Sequence, residues 1–289
     1  MRALIVTADD VGLHPGMTLG AVKAHDEGIV TACSVVANGR AFEPTVEMLR
    51  DRLRLDVGVH LTLVGERPLS PPEKVRTLVD RSGVFLRDFR IFTQRYLLGG
   101  IAAGEVEQEL RRQIERLLAA GLRVVHANSH QHLHVLPRVF EIVLRLAEEY
   151  RIPFVRIPDE PAAVRRASPR ALQIGILNGI GRTARRRLME NGSIRAPDRT
   201  IGILDAGGLT FEKLSRLLKD VEGVTELVCH PGVDDSALAA EYDWGYEWDR
   251  ETEALCDARV KEAVQSRGIG LTSFSGVGDS AAWPGSRRK

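Results

Sequence analysis

The chain of 289 residues sets 40 Lys plus Arg against 39 Asp plus Glu, a net charge of +1, with 44% hydrophobic and 5% aromatic residues. That balance excludes a dedicated nucleic-acid binder, which needs a dominant basic field, and the length suits one large (β/α) barrel of about 250 residues. Cys33, Cys229 and Cys256 lie far apart with no CxxC pair, which excludes a disulfide framework and a cysteine-rich zinc site and implies a reducing compartment.

The opening MRALIVTADD has one basic residue and a short apolar run ending in two carboxylates, too short and wrongly flanked for a signal peptide. No stretch approaches the roughly 20 apolar residues of a membrane span. A cytoplasmic protein is expected.

In chain order, short runs rich in Val, Ile and Leu predict strands over 3–7, 30–37, 56–61, 123–126, 153–157, 200–204, 226–229 and 270–274. Helical periodicity falls between them, over 17–27, 45–54, 104–120, 137–150, 210–221 and 249–267. Val106, Leu110, Ile114, Leu117 and Leu118 form one apolar stripe. Pro137 suits a first helical turn, and Gly121 and Gly268 suit helix ends. Strands apolar throughout imply burial on both faces. The expected fold class is α/β, a distorted (β/α) TIM-like barrel forming a single domain over 1–275, with a disordered tail over 276–289.

One segment departs from neutrality. Residues 164–195 hold eight arginines, one acid (Glu190) and no lysine, so this stretch carries +7 and the remainder −6. A solvated arginine-rich helix pair is the ordinary reading of such a run; a surface meeting anionic lipid or an anionic substrate is the functional one.

Four of the eight histidines, His126, His130, His132 and His134, sit within nine residues after the fourth predicted strand. In an extended loop His130, His132 and His134 share one side; in a helix only His130 and His134 would. Asp9 and Asp10 follow the first strand, His60 the third and His230 the seventh. Singly, the aspartates read as helix caps and His60 as a satisfied core histidine. Together they fall at strand carboxyl ends, where (β/α) barrels place their active sites, and they suffice for a catalytic metal. Because adjacent side chains diverge, one aspartate can bind metal while the other takes a proton. Cys229 should face away from His230 into packing, and no GxSxG, P-loop or GxGxxG occurs. Tyr242, Trp244, Tyr246 and Trp248 alternate after His230, suiting either loop packing or stacking on a sugar.

The ordered motifs TADDVG, GVHLTL and NSHQHLHVLP resemble the YdjC-like carbohydrate deacetylase family, which includes the chitooligosaccharide deacetylases, over about 1–274. LVDRSGVF, RIPDEP and CHPG look closer still to the branch associated with hopanoid biosynthesis. The resemblance implies a distorted barrel with a divalent ion on Asp10, His60 and His130, and Asp9 as general base. Val11 stands where many relatives have Phe, which leaves the ligand types intact. The implied reaction is metal-dependent hydrolysis of the acetamide of an N-acetylglucosamine-containing oligosaccharide or glycolipid.

By position, His230 is the candidate general acid, with His132 or His134 as the alternative, Arg156 could orient Asp9, and Trp244 could meet the substrate. One divalent ion is expected: Mg or Zn first, then Mn, Co or Ni. Competing readings are a metal-dependent phosphoesterase and a noncatalytic carbohydrate-binding barrel. Expected partners are an N-acetylated sugar or glycolipid, a peripheral contact of 164–195 with the inner membrane face, and a second copy in a homodimer; nucleic acid is not expected.

Overall fold

The apolar runs form strands because both of their faces are covered: all nine residues of β1 (Ala3–Val11) are buried, the pattern of a parallel strand between two layers. A computed structural model describes residues 2–161 and 168–278. The remaining strands are β2 (Ala32–Val35), β3 (Asp56–Leu61), β4 (Val124–Ser129), β5 (Phe154–Val155), β6 (Arg199–Ile201), β7 (Val224–Cys229) and β8 (Gly270–Leu271). They run parallel in the order β5-β4-β3-β2-β1-β7-β6, with β8 beside the start of β1.

The sheet curls into a single-domain distorted barrel. Its edges are joined by isolated bridges, Phe154 to Arg195 and Asp159 to Thr200, and by the Thr200 hydroxyl donating to the Ile157 carbonyl at 2.9 Å. β7 pairs directly with β1, so the eighth strand does not take the place between them that a regular eight-stranded ring would give it.

Alternation along β1 sorts its side chains. Leu4, Val6 and Ala8 join the large core between sheet and helices, whereas Ile5 joins Ala32, Val125, Phe154, Phe274 and Val277 in a smaller cluster inside the barrel. Thr7 and Asp9 continue the inward row toward the carboxyl end.

The helices are α1 (Pro15–Asp26), α2 (Phe42–Arg50), α3 (Phe89–Leu97), α4 (Ala103–Ala119), α5 (Pro137–Glu149), α6 (Pro169–Asn191), α7 (Phe211–Leu217), α8 (Asp235–Ala239), α9 (Trp248–Cys256), α10 (Ala258–Ser266) and α11 (Phe274–Gly278). The helix expected over 249–267 is broken at Asp257, whose carboxylate caps α10 by accepting from the Arg259 amide. α3 is not among the expected helices; Phe92 is its one buried residue, and the Asp88 carboxylate caps it by accepting from the Arg90 and Ile91 amides.

Phe274, expected to end a strand, opens α11 and stacks on His126 at 4.2 Å between ring centroids, closing the interior from below. Residues 276–278 therefore belong to a helix, and the rest of the expected tail lies outside the described residues. The arginine-rich segment supplies α6, capped by the Ser168 hydroxyl and by Gly192 in the left-handed conformation. Arg165 and Arg166 of that segment lie outside the described residues.

Candidate active site

Two neighbouring carboxylates on a regular strand would point to opposite faces. β1 avoids this with a register shift between Ala8 and Val11 and a left-handed Asp10 at φ 62°, a conformation that costs a non-glycine residue on the order of 1–3 kcal/mol and that aspartate tolerates better than most. The bulge lets Asp9 and Asp10 both reach the interior, turned toward different partners.

Asp10 meets the histidines. Its Oδ1 lies 2.8 Å from His130 Nδ1 and 3.2 Å from His60 Nε2. One ligand atom from each of the three residues falls within 4.8 Å of the others. A carboxylate and two imidazoles are the donor set of a catalytic divalent ion, with further positions left for water and substrate; among the described residues this is the one such group of three.

Asp9 meets Arg156, which stands just beyond β5. The guanidinium makes a paired contact, Nη1 to Oδ2 at 2.5 Å and Nη2 to Oδ1 at 2.9 Å, and Nη2 also donates to Glu226 Oε1 at 2.8 Å. The Thr7 hydroxyl donates to that same Glu226 oxygen at 2.8 Å. Burial raises the Asp9 pKa, but Arg156 and His60 outweigh it and hold the carboxyl below its ordinary range. Burial likewise raises Asp10, and His130 and His60 bring it well below. Burial alone lowers His60, yet Asp9 and Asp10 carry it above its ordinary value.

The SHQHLH segment does not present three imidazoles side by side. It forms a short 3-10 turn, His130–Val135, in which Gln131 and His132 are left-handed at φ 54° and 56°. The chain therefore turns after His130, which is the one of the three to reach the metal group. His134 is buried with both ring nitrogens engaged, Nδ1 with the Ser129 hydroxyl at 2.7 Å and Nε2 with the Arg156 carbonyl at 2.8 Å. Burial pushes its pKa down to about 3. It fastens the Arg156 backbone and has no free nitrogen for acid catalysis. His132 is pushed well below its ordinary value by burial, and its Nδ1 has no hydrogen-bond partner.

His230 follows β7, and Cys229 is buried facing away from it, its thiol donating to the Thr7 carbonyl at 3.4 Å. His230 Nε2 stands 3.9 Å from Asp10 Oδ2, its amide is held by Glu251 at 2.5 Å, and its Nδ1 has no partner. Tyr246 packs edge-on against the His230 ring at 5.3 Å, and Trp244 lies 5.3 Å from His130. Tyr242, Trp244 and Tyr246 rest on Leu13, Met17, Val36, Leu238 and Trp248, so the alternating aromatics are loop packing and a wall of the site at once.

Residues 3–266 match the family described as YdjC-like protein. The chain belongs to that family. Among its relatives, the carbohydrate deacetylase of Brevibacillus brevis is 32% identical over 95% of this chain and 99% of its own length. That of Geobacillus stearothermophilus is 30% identical over 94% and 97%. A solved Enterococcus faecalis structure, whose name assigns it to cellobiose-phosphate cleavage, superposes with a TM-score of 0.76 at 29% identity, covering 96% of this chain and 98% of that one. In this YdjC-like protein the three motifs behind the resemblance contribute Asp10, His60 and His130. Glu226 and Asn128 escaped the sequence reading; a lone acid in the apolar run TELVC is the one signal that pointed to Glu226.

Proposed function

We propose that this YdjC-like protein is a carbohydrate deacetylase that hydrolyses the acetamide of an N-acetylglucosamine-containing substrate to acetate and free amine. The observation that carries the reading is the division of labour at the β1 bulge: Asp10 faces two imidazoles while Asp9, one residue away, is held by Arg156. Asp10, His60 and His130 would hold one divalent ion, which when bound polarises the amide carbonyl and makes water more acidic. Asp9 is the group that takes the water proton. Arg156 keeps it ionised and oriented, and Glu226 and the His134 contact keep Arg156 in place. His230, which has a ring nitrogen directed at the cluster, supplies the proton that the departing amine needs as the C–N bond breaks.

Trp244 and Tyr246 offer aromatic faces to a sugar ring beside the two outer histidines. The lipid-linked form of the substrate, such as a glycosylated hopanoid, draws its support from α6. Leu172, Ile176 and Met189 are 69%, 60% and 76% exposed on it, beside Arg182, Arg186 and Arg187. Apolar side chains among basic ones suit a peripheral contact with anionic lipid. No helix among the described residues is long and apolar enough to cross a membrane.

The test is metal content and deacetylation by Asp10→Ala and His130→Ala. Both variants should lose the ion and the release of acetate; full retention of either property would remove the proposed site, and two ions per chain would favour phosphoester hydrolysis instead.

A further inference from the structure

His230 follows β7, but the groups that hold its backbone are on α9. The His230 amide donates to Glu251 Oε1 at 2.5 Å, and the Leu209 amide donates to Oε2 of the same carboxylate at 3.1 Å. On the next residue the Thr252 hydroxyl accepts from the Gly232 amide at 2.9 Å and donates to the Gly232 carbonyl at 2.7 Å. Glu251 and Thr252 are both buried. Two successive side chains of one helix thus fasten residues 230 and 232 from the same side.

The loop has no slack elsewhere. A Cβ on Gly20 of α1 would come within 2.4 Å of the Gly232 backbone, so α1 meets the loop through bare glycine. Through Leu209, Glu251 also reaches the wall beside the imidazole. Tyr246, edge-on against the His230 ring, lies on Gly207, where a Cβ would fall 2.0 Å from the tyrosine ring. The residue type fits the task. Burying a carboxylate is costly, yet it is the side chain that accepts at both oxygens, whereas glutamine would set its own NH2 against one of the two amides. The His230 ring nitrogen, 3.9 Å from Asp10 Oδ2, serves a departing amine only if its backbone does not drift. A displacement of about 1 Å can cost on the order of 10²-fold in rate.

We propose that Glu251 and Thr252 are positioning residues, which clamp the backbone of His230 so that its imidazole meets the leaving nitrogen. The inference rests on the proposed function, because it takes His230 as the group that protonates the amine. As the C–N bond breaks, its electron pair stays on nitrogen and takes up the His230 proton. Cleavage of an aryl acetate leaves the pair on a phenolate oxygen, which is stable as an anion and needs no such proton. A clamp that serves His230 therefore matters to amides far more than to aryl esters. A clamp that serves only the fold matters to both alike.

The experiment compares the metal-loaded full-length protein with Glu251→Gln and His230→Ala on an N-acetylglucosamine oligomer and on 4-nitrophenyl acetate. In Glu251→Gln, kcat on the oligomer should fall about 10²-fold with KM little changed, and the loss on the ester should be smaller by about tenfold or more. His230→Ala should show the same selectivity in stronger form. Equal losses on both substrates in Glu251→Gln, or no loss on either, while His230→Ala stays selective, overturn the clamp alone. An unselective His230→Ala overturns the acid assignment and the clamp's role with it. If Glu251→Gln does not fold, Thr252→Val, which releases Gly232 alone, decides by the same ratio. Amide hydrogen exchange reads the clamp without turnover. The His230 and Leu209 amides should exchange about tenfold faster in Glu251→Gln than in the parent, the loss of a hydrogen bond to a charged acceptor; unchanged protection overturns the proposal.

Discussion

The carboxyl end of the barrel and the surface of α6 are the two places where this chain departs from average composition, and they are built on opposite physics. At the barrel end, charges are buried and each is held by the next: Asp9 by Arg156, Arg156 by Glu226, Asp10 by His60 and His130. On α6, Arg182, Arg186 and Arg187 stand in solvent beside exposed apolar side chains, Arg187 meeting Glu190 at 3.4 Å, whereas Arg170 is tied to the Ile203 and Ala206 carbonyls and Arg185 to those of Pro197 and Asp198. The exposed region is a charge run in sequence, whereas the buried one, spread over residues 9–226, is assembled only by the fold. Only the buried one gives geometry to a reaction; the exposed one can provide adhesion, which salt screens.

If that contrast is right, substitutions at the barrel end should act through chemistry and stability, and those on α6 through binding alone. The largest effect is expected for Asp9→Asn, which keeps the shape but removes the proton acceptor: kcat should fall by about 10²- to 10⁴-fold with metal content unchanged. Next is Arg156→Leu, which leaves Asp9 and Glu226 as unpaired buried carboxylates; unfolding by denaturant should show a loss of roughly 3–5 kcal/mol. A loss below 1 kcal/mol would mean that water reaches the pair.

Acid should act on the same region. Because the folded Asp9 and Asp10 pKa values lie below the ordinary 3.8, their contribution to stability is complete above that value and is lost as pH falls through the lower folded values. Denaturant midpoints measured down an acid series should therefore drop below about pH 4; a midpoint that rose on acidification would contradict the assignment.

On α6, replacing Arg182, Arg186 and Arg187 with Gln should weaken binding to vesicles rich in anionic lipid by about 1 kcal/mol per charge, leaving turnover of a soluble N-acetylated oligosaccharide unchanged. The smallest effect is expected for Trp244→Ala, a rise in KM with little change in kcat, since it removes a binding face and no reacting group.

The contrast also marks what could be read in the sequence. Strand positions were legible because parallel strands buried on both faces are apolar throughout; the ends of those runs marked Asp9, Asp10, His60, His130 and His230 as one group, and only the family resemblance singled out Asp10, His60 and His130 within it. The bulge that turns Asp9 and Asp10 inward together was not, since a left-handed aspartate leaves no periodicity. Nor was the turn at Gln131 and His132, which removes His132 and His134 from the metal group against the alternation of the motif. Glu226 and Asn128 act through contacts 70 and 68 positions away, with Arg156 and His60, and no local pattern encodes such pairing. α11 was hidden because two short glycine-containing turns look like the start of a tail.

The central claim is most directly tested by acetate release from N-acetylglucosamine oligomers and glycolipids, using purified protein before chelation, after chelation and after restoring a single divalent ion. The account predicts release that chelation abolishes and one equivalent of ion restores, with Asp9→Asn slower than the parent by about 10²- to 10⁴-fold when the ion is present. Undiminished release from fully chelated protein, or from Asp9→Asn, would contradict it.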